Sequence, residues 1–148
     1  MKVNILTKFI AIALVLGLSS TKGLAQCKSF ITKQCMPKMA PFTHNGQLNS
    51  TTLMEGETAE LLMTFYSGQN YRILVCAHKN LGQAQFKLLD SQRNVIFDSK
   101  ENAFSEFWDF SVKSTQQFIV QVSIPKQDGA PGSFVQSGCV AVLIGFKP

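Results

Sequence analysis

Two histidines, four cysteines and nine acidic residues are the side chains with the chemistry for nucleophilic, acid–base or metal work. Nucleophilic catalysis needs a base within hydrogen-bond reach of Ser, Thr or Cys, oriented by a third group. His44 and His78 are isolated in the sequence, and neither stands beside a Gly-x-Ser-x-Gly turn. The one Cys/His neighbourhood is Cys76-Ala77-His78, where the two side chains would share a strand face. Cys76 is expected to be disulfide-bonded or buried, so no enzyme is expected. A zinc site would want a Cys-x-x-Cys type of spacing, which is absent, and no metal site is expected. Asp90, Asp98, Glu101, Glu106 and Asp109 could act as paired carboxylates if two were held roughly 5 to 10 Å apart. They fall mostly in turn segments, where Asp and its neighbours favour local hydrogen bonds. The same oxygens could take calcium, yet no Asp-x-Asp-x-Asp run builds a dedicated loop. No cofactor is expected, calcium being the one ion these donors suit.

Aromatic side chains are the remaining candidates for function. Tyr66, Tyr71 and Trp108, with Phe104, Phe107 and Phe110 nearby, could supply a flat platform for a sugar ring. In Phe107-Trp108-Asp109-Phe110 a strand sends alternate residues to opposite faces, so Trp108 and Phe110 share one face and Phe107 takes the other. Core packing is the expected fate of Trp108. Ligand contact by Tyr66, Tyr71 and Trp108 is the functional alternative.

The chain that must position these groups begins with an address. Lys2 and Lys8 flank the start of a short apolar run, and Gly23-Leu24-Ala25 offers small residues before a cut at Gln26, the layout of a signal peptide over residues 1–25. Leu24-Ala25-Gln26-Cys27 superficially resembles a lipoprotein processing site, but Gln26 departs from the small residue such sites want. The expected product is secreted or periplasmic, without a transmembrane segment. Residues 26–148 carry 11 basic and 9 acidic residues, a net charge near +2. That balance gives no electrostatic reason to bind nucleic acid.

Cys27, Cys35, Cys76 and Cys139 remain after cleavage, and an even count in an oxidising compartment favours disulfides. If residues 27–36 are helical, eight residues at roughly 1.5 Å rise separate Cys27 from Cys35 by about 12 Å. A bridge tolerates only about 7 Å between Cα atoms. These two would then pair with Cys76 and Cys139, or stay free.

Residues 26–41 read as a short helix or arm, with Cys27, Phe30, Ile31 and Cys35 near one face and Pro37 and Pro41 stopping it. Residues 42–148 read as strands. Residues 49–54 form a candidate edge strand. Residues 59–66 place Leu61, Met63 and Phe65 on one side, and Ser67-Gly68-Gln69-Asn70 predicts a tight turn and a hairpin with residues 71–77. Residues 71–77 are apolar on both faces, as in a central strand buried between layers. Further strands are expected at 83–89, 95–97, 106–112, 117–124 and 139–146, with a polar loop at 125–133. About eight strands without a long amphipathic helix predict an all-β antiparallel sandwich, jelly-roll-like, its last strand near the middle of a sheet.

Gly46-Gln47-Leu48-Asn49-Ser50, Tyr71-Arg72-Ile73-Leu74-Val75-Cys76, Trp108-Asp109-Phe110 and the ending from Gly138-Cys139-Val140 to Gly145-Phe146 resemble small secreted Bacteroidetes proteins of unknown function. That resemblance implies a lineage and a fold, without an activity. The hairpin at residues 90–97 is loosely similar to pre-peptidase C-terminal domains, non-catalytic sandwiches that serve binding, secretion or solubility. Taken together, the expectation is a secreted, non-enzymatic binding or accessory protein of the bacterial envelope whose partner is an envelope protein. A carbohydrate-binding module using exposed aromatics, with a glycan as ligand, is the alternative.

Overall fold

The computed structural model describes residues 27–129 and 132–147. The expected signal peptide and Gln26 lie outside the described residues. Among those described, nine strands form two antiparallel sheets. The first sheet holds β1 (Thr43–His44), β2 (Asn49–Met54), β4 (Asn70–Ala77), β7 (Phe107–Ser111) and β9 (Ser137–Lys147). The second runs β3 (Thr58–Phe65), β8 (Gln116–Ser123), β5 (Gln85–Leu89) and β6 (Val95–Asp98) in that order. The expected all-β sandwich is the observed architecture. The two-residue β1 carries no periodicity to read, which is why the sequence suggests about eight strands.

Alternation decides which face each strand buries. Ile73, Val75, Val140, Val142 and Ile144 of the first sheet meet Phe65, Phe86, Leu88, Phe118, Val120 and Val122 of the second. The other face of the first sheet is apolar too: Leu74, Cys76, Ala141 and Leu143 pack against Phe30, Ile31, Cys35 and Met39 of the N-terminal arm. The arm is thus a third layer, and it explains why β4 and β9 are apolar on both faces. β9 is the hub of this sheet. It pairs with β4 on one side from Asn70↔Lys147 to Ala77↔Val140, and with β2 and β1 in tandem on the other.

The arm is helical over residues 27–39, passing from an α-turn into a π-turn (Ile31–Cys35) and a 3-10 turn (Met36–Met39). Pro37 does not stop it. It sits at the start of the 3-10 turn, where the N–H it lacks has no helical partner. Disulfides fasten the arm at two points: Cys27 to Cys139 on β9, Cα atoms 5.5 Å apart, and Cys35 to Cys76 on β4, 5.9 Å apart. A helical arm excludes a Cys27–Cys35 bridge, as its geometry predicts. Gly145 permits the close approach of the chain beyond the arm, because a Cβ there would lie 2.8 Å from Phe42 Cβ and collide with the end of Met39.

The expected hairpin between residues 59–66 and 71–77 is not formed. β3 pairs with β8 and β4 with β7 and β9, so the turn at Gly68 (φ +84°) carries the chain from one sheet to the other. The physical reason lies in the two patterns. β3 alternates and suits a layer with one wet face, whereas β4 is buried along Tyr71 to Cys76 and needs cover on both sides. The Tyr71 hydroxyl pins the crossing, accepting from Tyr66 N–H at 2.9 Å and donating to the Tyr66 carbonyl at 3.2 Å.

Candidate functional site

The groups that could do chemistry are mostly spent on structure. Cys76 lies in a disulfide, so it offers His78 no thiolate. Asn80 donates its amide to the Ser137 carbonyl at 2.6 Å, which turns its Oδ1 toward His78 Nδ1, also at 2.6 Å. His78 therefore carries its proton on Nδ1 and stacks obliquely on Phe30, with ring centroids 5.6 Å apart. Asp90 accepts from the backbone of Gln92 and Asn94 and from the Asn94 side chain, closing its own turn. Those bonds, the Asn94 side chain first, hold its carboxyl below the ordinary range. Asp98 accepts from Lys100 N–H and pairs with Lys87, and Glu106 pairs with Lys38. Among the described residues no three His, Cys, Asp or Glu side chains converge as a metal site would require.

Asp109 belongs to the most developed polar cluster. Arg72, on the outer face of β4, donates Nε and Nη2 to the two Asp109 oxygens at 2.7 Å each, across the β4–β7 pair. Its Nη1 reaches the Lys38 and Ala40 carbonyls at 3.2 and 2.9 Å, and its guanidinium lies 4.7 Å from the Phe42 ring and 4.2 Å from that of Phe107. The Asp109 hydrogen bond raises the Arg72 pKa further above its already high ordinary value. A permanent cation, forked and stacked in this way, is a clamp on the end of the arm.

Of the aromatics expected at a ligand, Tyr66 presents its ring to solvent, 62% exposed. Tyr71 does not. It is buried at 5% exposure and packs edge-on to Phe65, so it reaches the surface only as wall. Trp108 is stacked on both faces, against Phe97 at 4.8 Å and Phe110 at 4.6 Å, which leaves no free face for a sugar. These two rings are thus packed against neighbouring aromatics rather than presented as open faces, although Tyr71 still lines a cleft.

Among the described residues two surfaces combine apolar exposure with a fixed frame. The first is the connection between β8 and β9, where Phe134 is 91% and Val135 63% exposed. Its base is tied down. The Glu55 carboxylate accepts from the N–H groups of Gln127 and Gln136, and Glu55 N–H donates to the Gln136 carbonyl. The expected polar loop at 125–133 stops just short of this apolar pair. The signal that could have found it is Phe134-Val135 standing outside any alternation between Gly132-Ser133 and Gln136-Ser137-Gly138.

The second surface is the flank where edge strands β2 and β3 face each other without a covering strand. A slot of about 160 Å³ opens there between Leu53, Ala59, Leu61, Val120, Val122, Val140 and Val142, with Asn49 and Thr51 at its wall. Further along β3 and β9, past Met63 and Ile144, follows a wider cleft of about 510 Å³ whose walls include Asn45, Gln47, Thr64, Tyr66, Gln69 and Tyr71. Asn49 sits opposite Val142 in register and faces inward. Its Nδ2 is buried and, with His44 Nε2, is one of two buried side-chain nitrogens among the described residues without a hydrogen-bond partner. Leaving such a donor unpaired costs on the order of 1 to 3 kcal/mol.

The fold is similar to that of PliG from Aeromonas hydrophila, a periplasmic lysozyme inhibitor of g-type lysozyme. The TM-score is 0.50 and the identity 9%, over 72% of this chain and 89% of that one. At that identity the likeness is one of fold. No protein-family model matches the chain, and no curated protein matches it. Among the described residues no helix is long and apolar enough to cross a membrane.

Proposed function

We propose that the protein is a secreted, non-enzymatic accessory protein of the bacterial envelope that works by binding another envelope protein, as an enzyme inhibitor does. The observation that carries this reading is the exposed Phe134–Val135 pair on a connection whose base Glu55 fixes. An apolar anchor held before binding loses little entropy on docking, and a few such anchors carry most of an interface's energy. The fold shared with a lysozyme inhibitor supports the inhibitor class, and the two disulfides fit an oxidising compartment. The same reading takes the chain as one of the small secreted Bacteroidetes proteins it resembles.

The test is direct binding to immobilised g-type lysozyme, and to lysozymes of other types, by the purified oxidised protein. Saturable binding that weakens at least about tenfold in Phe134→Ser/Val135→Ser supports the reading, since both side chains would leave a desolvated contact. Failure to bind lysozymes of every type removes the inhibitor class. Turbidity assays on cell walls are a poor substitute, because a protein that coats the wall also slows its lysis.

A further inference from the structure

We propose that the open flank between β2 and β3 binds an N-acetylated amino-sugar chain, with one acetamido group seated in the slot beside Asn49. The slot is close in volume to the roughly 150 Å³ apolar cavity that takes benzene, and an acetamido group is smaller than benzene. Its valine-rich wall suits a methyl group, and the unpartnered Asn49 Nδ2 suits a carbonyl oxygen. A methyl and a carbonyl on adjacent atoms are what an acetamido group presents. A fatty chain would leave the Asn49 donor unpaired, and a plain hydroxylated sugar would leave the apolar wall unfilled.

The wider cleft fits the rest of such a chain. Its walls carry amides and a hydroxyl from Asn45, Gln47, Gln69 and Thr64, and no charged side chain. Neutral donors and acceptors match sugar hydroxyls and give an anionic or cationic ligand nothing to pair with. The exposed ring of Tyr66 stands at this end, where a pyranose can lie on it. The one carboxylate at the slot, Glu60, is already bound by Arg93 and Gln121. The slot and the cleft follow one another along β3 and β9, so a linear chain spans both without turning a corner.

This site is separate from Phe134 and does not rest on the inhibitor reading. The experiment is calorimetric titration of the full oxidised protein with three probes: the trimer of N-acetylglucosamine, its de-N-acetylated counterpart at a pH alkaline enough to keep its amines neutral, and cellotriose. Expected is saturable binding of the acetylated trimer, at least about tenfold tighter than the other two. Asn49→Asp, which replaces the donor by a carboxylate, should lose at least about tenfold, the scale of one hydrogen bond. Tyr66→Ala changes only an exposed side chain and leaves the backbone bonds to Tyr71 intact, so it tests the site without threatening the fold. It should weaken binding severalfold. Equal affinity for the acetylated trimer and cellotriose, no binding of any probe at millimolar concentration, or full affinity in both Asn49→Asp and Tyr66→Ala would overturn the proposal.

Discussion

The outer face of the first sheet and the flank between β2 and β3 are both apolar, and the protein treats them in opposite ways. The outer face is closed by the arm, fastened with two disulfides, the Arg72 fork and the bare backbone of Gly145. The flank stays open, with a valine-lined slot and a buried amide donor that nothing satisfies. Stability alone would fill that slot, as it has filled the other face. Apolar surface left uncovered beside a polar orphan is where a ligand can sit, whereas apolar surface under crosslinks is structure.

If packing alone closed the outer face, its fastenings would be dispensable. Replacing Cys35 and Cys76, or Cys27 and Cys139, by Ala frees loops with sequence separations of 41 and 112 residues. In the chain-entropy model either loss costs about 4 to 5 kcal/mol, a large part of a domain's usual margin of roughly 5 to 15 kcal/mol. Urea unfolding should show a strong fall in midpoint for each pair, and an unchanged midpoint would mean that packing alone closes the face. Arg72→Met should cost about 2 to 3 kcal/mol, since it strips the partner from Asp109, which is half in water, and from two arm carbonyls. Arg72→Lys should recover little of this, because an ammonium cannot make the two-point fork. Gly145→Val should cost about 1 to 3 kcal/mol through overpacking against Phe42 and should loosen the arm, visible as faster amide exchange there.

On the flank the sign reverses. Asn49→Leu removes the unpaired donor and fills the slot, so it should leave stability unchanged or raise it by about 1 kcal/mol. A loss of more than that would show Asn49 to be structural. The smallest effect concerns Glu60, on the rim of the same slot. Arg93, by hydrogen bond, and then Gln121 hold its carboxyl below the ordinary value of 4.5. A lowered folded-state pKa means that its contribution is complete above about pH 4.5 and is lost as the pH falls through the folded value. Glu60→Gln should therefore lower the neutral plateau of a thermal-unfolding series slightly and flatten its acid limb, the two series converging at low pH.

Strand periodicity made the sandwich legible, because β3 and β8 alternate and β4 and β9 do not. Two-sided apolarity marked β4 as a strand buried between layers, and the helical spacing of Cys27 and Cys35 excluded their mutual bridge. The β3–β4 crossing was hidden, since a tight turn at Gly68 reads the same whether the chain returns to its own sheet or leaves it. The candidate sites were legible only in part. Tyr66 could be named as an aromatic beside a turn, but burial of Tyr71 and stacking of Trp108 depend on partners far away in the chain. Asn49 carried no signal at all. An Asn on an edge strand looks solvated until the strand register shows it facing Val142.

β9 has a consequence for how the molecule comes into being. A chain that emerges in order from residue 27 has β1 and β2 with no partner and β4 with only β7 until Ser137–Lys147 arrives. The Cys27 sulfur, too, waits for Cys139. The second sheet has all its strands by Ser123, but the first cannot close until β9 arrives, so the fold is completed late and through distant contacts, which slows it.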